Sequence, residues 1–272
     1  MISNDITIGT IGAGNMATAL LEGLLATGVA PARLWASDTD HGKLQSLAAR
    51  GLHTTTDNIQ LITACDVVIL AVKPQVMAAV VQPLASTLAQ RPVLLISVAA
   101  GVPCAKLMAW TNPTQAIVRC MPNTPALVQA GASALFATDT VSATQRATAE
   151  SILNAVGISC WLDNEAQMDA VTALSGSGPA YFFLLLEAMQ AAGIQLGLSA
   201  EVAKSLALQT GCGAAKLALA SDVDAAELRR RVTSPGGTTE AAIRQFESEH
   251  FRDIVARALA KAAARSAELA SS

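Results

Sequence analysis

The sequence predicts an α/β protein of two domains: a doubly wound parallel sheet over residues 1–163, then an all-α domain over residues 164–272. Three observations carry this. Up to about Trp161, short β-rich runs alternate with helical patterns, as in a parallel sheet with crossover helices. The strand candidates are almost continuously apolar, as strands covered on both faces must be. Past Asn164 the β-rich runs stop, and helical patterns remain, separated by glycine and proline.

In chain order, strands are expected at 6–11, 34–37, 67–71, 93–98 and 117–121, with helices at 15–27, 42–50, 75–89 and 103–110. The second domain reads as helices at 179–192, 200–220, 225–231, 240–247 and 251–269. Leu184, Leu185, Met189, Leu206, Leu208 and Leu217 form an apolar surface there. A monomeric helical core would use the same residues, but a second copy of the chain is the expected cover.

With 272 residues, the chain is long for one core and suits two ordinary domains. Apolar residues make up 52% and charged residues 14%, which leaves little room for disorder. A net charge of −3 without a basic block argues against nucleic acid as a partner. The five cysteines form no C-x-x-C pair, four lie in apolar runs, and buried reduced thiols without a metal are expected. Residues 93–108 are the longest apolar stretch, but Gly101, Pro103 and Lys106 interrupt it, so no membrane span is expected. Met1-Ile2-Ser3-Asn4-Asp5 lacks a basic region and runs straight into a strand, so no signal peptide and a cytoplasmic location are expected.

The turn after the first strand carries chemistry. Gly12-Ala13-Gly14-Asn15-Met16-Ala17 follows Ile11 and opens a helix, matching G-x-G-x-x-A in the context it needs. The first glycine makes a tight turn, the second admits a pyrophosphate, and Ala17 packs helix on strand. This makes the first domain Rossmann-type and its ligand NADPH or NADH. Asp38, after Ser37, suits the adenosine ribose hydroxyls and hence NADH, or is a solvated acidic turn. His41 and Lys43 can still meet a phosphate, so the choice of reduced cofactor stays open. Ala71-Val72-Lys73-Pro74 ends another strand, where Lys73 faces a pyrophosphate or ribose or simply caps the sheet edge. Ala99, Ala100 and Gly101 are small enough for a nicotinamide to come close. Asn123, in Met121-Pro122-Asn123-Thr124-Pro125, can offer its amide to the nicotinamide carboxamide.

Near the other end, Ser234-Pro235-Gly236-Gly237-Thr238-Thr239 precedes a helix start. Free N–H groups, a positive dipole end and three hydroxyls suit a small carboxylate or a ring nitrogen. An ordinary capped turn is the plain alternative.

Together with the run Asp169-Ala170-Val171-Thr172-Ala173-Leu174-Ser175-Gly176-Ser177-Gly178-Pro179-Ala180-Tyr181, these motifs resemble pyrroline-5-carboxylate reductases over nearly the whole chain. The resemblance implies an N-terminal Rossmann domain and a helical dimerisation domain with interlocking helices. It also implies a homodimer, with a larger ring as a further assembly, and reduction of 1-pyrroline-5-carboxylate to L-proline by NAD(P)H. Carried over, Ser234, Gly237, Thr238 and Thr239 would hold the substrate carboxylate. Thr239 would also lie near the ring nitrogen, and it and Ser234 are the candidate catalytic residues. Ser175 and its neighbours to Pro179 would line the cleft, with Glu165 at its edge. Asn58 would contact the adenosine half. One departure stands out: NADPH-using members often carry Asn or Ser then Arg after the second strand, where this chain has Asp38 and Thr39.

Hydride transfer to a ketone needs a protein acid, usually His or Lys. His41, His53 and His250 lie outside the motifs. A cyclic imine can enter already protonated, in which case orientation and electrostatics suffice, with Tyr181 or a water as the alternative donor. A β-hydroxyacid dehydrogenase would need lysine and asparagine four and eight residues after a G-x-G. Here Gly176-Ser177-Gly178 is followed by Phe182 and Leu186. A non-catalytic NAD(P)-binding protein would not need the Ser234 loop.

Overall fold

The computed structural model describes residues 5–271. The opening residues Met1 to Asn4, on which the expected lack of a leader rests, lie outside them. Eight strands form one sheet: β1 (Ile8–Ile11), β2 (Leu34–Ser37), β3 (His53–Thr55), β4 (Val67–Leu70), β5 (Leu94–Ser97), β6 (Ile117–Met121), β7 (Gly131–Ala137) and β8 (Gly157–Trp161). Their order is β3-β2-β1-β4-β5-β6-β7-β8. β1 to β6 are parallel, while β7 pairs antiparallel with β6 and β8 runs parallel to β7. The sheet is therefore mostly, not wholly, parallel. All four residues of β1, β4 and β5 are buried, which explains their continuous apolar runs.

Helices cover both faces. On one, α1 (Asn15–Ala26), α2 (His41–Ala48) and, later in the chain, the helix Ala143–Asn154 pack Leu20, Leu24, Leu44 and Ile152 against Ile8, Ile69 and Ile96. On the other, α3 (Asn58–Ala64), α4 (Pro74–Val81), α5 (Ala85–Gln90) and α6 (Cys104–Trp110) bring Leu61, Met77, Leu88 and Leu107 onto Ile11, Leu70 and Leu95. The helix expected over 75–89 is broken by a 3-10 turn, Gln82–Leu84, because Pro83 cannot continue it. The Ala143–Asn154 helix is α7, opened by a capping box from Ser142 and Gln145. After β8 come α8 (Met168–Val171) and a π-helical turn, Thr172–Gly176.

The described chain divides into two compact units, 5–177 with 262–271, and 178–261. The second unit holds α9 (Gly178–Gln195), α10 (Ala200–Leu219), α11 (Ala225–Arg231), α12 (Thr238–Ser248) and the first part of α13 (Phe251–Ser271). The apolar face of α9 and α10 is uncovered: Leu184 is 67% exposed, Leu206 56% and Leu217 56%. Leu185, Met189 and Leu208 are exposed as well, so these six residues are not a monomeric core. All five cysteines are free, with Cys65, Cys104 and Cys120 buried. Cys160 and Cys212 are exposed, against expectation, since β8 is an edge strand and α10 is largely uncovered. Among the described residues no helix is long and apolar enough to cross a membrane.

Ile69, fully buried in central β4, is a direct measure of this packing. Ile69→Ala should lower the unfolding free energy by about 2–5 kcal/mol, read by chemical denaturation.

Candidate active site

The strand order reverses between β1 and β4, and there the chain turns tightly at Gly12. Gly12 has φ 100°, and a Cβ on it would lie 2.8 Å from the Ala71 carbonyl oxygen. Its N–H donates to the Ser37 carbonyl at 2.7 Å, joining β1 to the end of β2. Gly14 caps α1 without a side chain, and a Cβ there would meet nothing within 4 Å. The helix start therefore presents bare N–H groups and a positive dipole end to open space, which suits a pyrophosphate. Asn15 is exposed there, Met16 is partly buried against the core, and Ala17 is wholly buried.

Asp38, the expected ribose partner, is bound into the turn itself. Its Oδ2 accepts the Ala13 N–H at 2.8 Å, and its Oδ1 accepts the Asp40 N–H at 2.9 Å. Lys43 Nζ stands 3.5 Å from Oδ2. Burial pushes the carboxyl up, but the two N–H groups and the Lys43 ammonium outweigh it and hold it below its ordinary value. An anion is thus fixed beside the glycine turn, with a cation next to it. Ser37 Oγ donates to Asn58 Oδ1 at 2.6 Å, which ties the start of α3 to the same edge.

The other cofactor candidates gather along this carboxyl edge. Ala71 and Val72 follow β4, exposed Lys73 caps α4, and Pro74 is its first residue. Ala99 is buried, Ala100 exposed and Gly101 half-buried after β5. Asn123 follows β6, and its amide is engaged: Oδ1 accepts the Ala132 N–H at 2.9 Å, and Nδ2 donates to the Ser175 carbonyl at 3.0 Å. It joins β7 to the π-helical turn, a contact the motif alone did not indicate.

In that turn Ser177 N–H donates to the Thr172 carbonyl at 2.8 Å, the five-residue step of a π-bulge, an irregularity common at functional sites. Ser175 Oγ donates back to the Val171 carbonyl at 3.1 Å. Glu165 Oε1 accepts from Arg119 Nη1 at 2.8 Å and from the Cys104 N–H at 2.8 Å. The Arg119 side chain is only 7% exposed, so Glu165 neutralises a charge inside the first unit as well as capping α6. Arg119 was missed at the sequence level, although a lone charge within Ile-Val-Arg-Cys-Met is a visible signal. Burial, followed for Cys104 by the Glu165 charge, pushes the Cys65, Cys104 and Cys120 thiols up to about 12. None of the three is a thiolate nucleophile near neutral pH.

In the second unit, Gly237 caps α12 without a side chain. Ser234, Thr238 and Thr239 are exposed, and their hydroxyls make no hydrogen bond among the described residues. The histidines lie elsewhere: His41 opens α2, His53 stacks on Trp35 at 4.6 Å, and His250 follows α12 at φ 57°.

A doubly wound sheet with a bare helix start at its switch point defines a Rossmann-type dinucleotide-binding protein. Residues 165–269 match the family model for pyrroline-5-carboxylate reductase dimerisation, and residues 7–101 match that for coenzyme F420-dependent NADP oxidoreductases. The pyrroline-5-carboxylate reductase of Pseudomonas aeruginosa is 54% identical, over 97% of this chain and 96% of its own. That of Haemophilus influenzae is 42% identical, over 96% and 97%. Among solved structures, the Coxiella burnetii pyrroline-5-carboxylate reductase has a TM-score of 0.94 at 45% identity, covering 97% of this chain and 98% of its own. A Plasmodium falciparum pyrroline carboxylate reductase with NADP bound has a TM-score of 0.87 at 31% identity, covering 98% and 99%. The chain belongs to the pyrroline-5-carboxylate reductase family and forms a homo-oligomer.

The double substitution Asp38→Ser with Thr39→Arg should shift the ratio of kcat/KM toward NADPH by about 10–100-fold, one or two charge-assisted contacts. Affinity for NADH should fall, because Ala13 loses its acceptor, while for NADPH the added guanidinium offsets that loss. Steady-state kinetics with each cofactor checks both effects; a wild type already strongly preferring NADPH would contradict the ribose role of Asp38.

Proposed function

We propose that two regions divide the work of the family reaction, reduction of 1-pyrroline-5-carboxylate to L-proline with NADPH or NADH. Turns at the ends of β1, β2, β4, β5 and β6 hold the dinucleotide. The Ser234, Gly237, Thr238 and Thr239 loop holds the substrate carboxylate, with Ser175 and Glu165 as further substrate contacts. The observation that carries this is the pair of bare helix starts, Gly14 before α1 and Gly237 before α12, each without a side-chain cap. One suits a pyrophosphate and the other a carboxylate.

The reduced nicotinamide supplies the hydride. The chain's own task is to fix the carboxylate, bring Thr239 near the ring nitrogen and present the imine carbon. No side chain need donate a proton when the substrate enters as an iminium. The positions of the three histidines, away from the motifs, support this. A β-hydroxyacid dehydrogenase mechanism finds no support, since Phe182 and Leu186 on α9 are apolar.

Residues 1–163 would form the dinucleotide-binding domain and 164–272 the substrate and dimerisation domain, a division supported by the spans of the two matching models. The exposed face of α9 and α10 supports a homodimer; a larger ring and a cytoplasmic location complete the proposal.

Thr239→Val should lower kcat/KM for pyrroline-5-carboxylate by about 10–100-fold, the worth of one charge-assisted hydrogen bond of about 1.5–3 kcal/mol. Unchanged kinetics in a folded variant would remove Thr239 from the site. Tyr181→Phe should keep kcat within about tenfold, because general acid catalysis contributes about 100-fold or more. A loss of about 1000-fold would make Tyr181 the acid.

A further inference from the structure

The loop ahead of α12 is held from within its own helix. Glu240 is the third residue of α12, the place from which a glutamate usually reaches back to the N–H of the cap residue. Here that N–H is already engaged, since Gly237 donates to the Ser234 carbonyl at 3.0 Å. Glu240 therefore reaches one residue further, and its Oε2 accepts the Gly236 N–H at 2.7 Å. Gly236 has φ 70°, a conformation that favours glycine, so the turn is both strained for other residues and pinned. The second oxygen, Oε1, accepts from Arg244 Nη2 at 2.9 Å, one helical turn on. The carboxylate is thus gripped at both ends.

We infer that Glu240 is a positioning residue for the substrate: it holds the Gly236 turn in the shape that leaves the Ser234, Thr238 and Thr239 hydroxyls turned to an incoming carboxylate. The inference rests on the reading that this loop binds that carboxylate. A glutamate beside an anion site looks misplaced, because like charges repel. Arg244 resolves this by neutralising it, so the loop gains a fixed acceptor without a net negative charge. The Gly236 N–H first, then the Arg244 guanidinium, hold the Glu240 carboxyl below its usual range, so it is ionised under assay conditions. The role is one of hydrogen-bond geometry: what Gly236 needs is an oxygen at the right reach.

Three variants of the full chain separate the possibilities. Glu240→Gln keeps an oxygen at the same reach, whereas Glu240→Ala removes it and Glu240→Asp withdraws it by one methylene while keeping the charge. Steady-state kinetics with pyrroline-5-carboxylate should show KM for that substrate raised about tenfold in Glu240→Ala and Glu240→Asp, the loss expected for one hydrogen bond. Their kcat should stay within about threefold and KM for NADPH or NADH unchanged, and Glu240→Gln should remain within about threefold of wild type in every constant. A wild-type KM in folded Glu240→Ala or Glu240→Asp would overturn the inference, as would a Glu240→Gln as impaired as Glu240→Ala. Thr239→Val, measured alongside, tells the two failures apart. If it raises KM and the Glu240 variants do not, only the positioning role fails. If none of them alters KM, the loop is not the carboxylate site.

Discussion

The cofactor edge depends on how closely the backbone at Gly12 passes the Ala71 carbonyl. A single methyl group there would sit 2.8 Å from that oxygen. With it absent, β1 and β4 end side by side and the chain can turn out between them, at the one place where the strand order reverses. Two hydrogen bonds then fasten the turn to β2: Gly12 to the Ser37 carbonyl and Ala13 to the Asp38 carboxylate. The direction of α1, and with it the aim of its bare N-terminus, follows from these contacts. Asp38 is consequently part of the turn itself, so a substitution there acts on the backbone as well as on the local charge.

The second unit works on different physics. Its helices expose apolar side chains that a stable monomer would bury, and the same face lies within the region matching the dimerisation model. The loop at the start of α12 is by contrast polar, and its shape comes from a glycine turn, an uncapped helix start and a carboxylate–guanidinium pair. The uncovered apolar face thus lies on α9 and α10, and the polar loop at the start of α12.

Much of this was legible in the sequence, and what escaped has identifiable causes. β1, β2, β4, β5 and β6 stood out because strands buried on both faces are apolar without interruption. β3 did not, since His53-Thr54-Thr55 is a three-residue edge strand with little burial. β7 is built largely of small residues, Gly-Ala-Ser-Ala-Leu-Phe-Ala, and β8 alternates half-buried with exposed positions, so neither announced itself. The motif residues were found, but their partners were not. The Ala13 contact of Asp38, the Asn123 link between Ala132 and Ser175, and the Arg119–Glu165 pair all join residues far apart in the chain. Local pattern carries no record of such pairings.

Chemically, the account assigns the protein orientation rather than proton donation. The pH dependence of kcat/KM tests this most directly when measured on the wild-type enzyme with pyrroline-5-carboxylate and with a six-membered imino acid of different basicity. If the iminium is the reacting species, activity falls at high pH with a midpoint that moves from one substrate to the other, following each imine. A midpoint that stays fixed when the substrate changes would belong to a group on the enzyme, and would contradict the account.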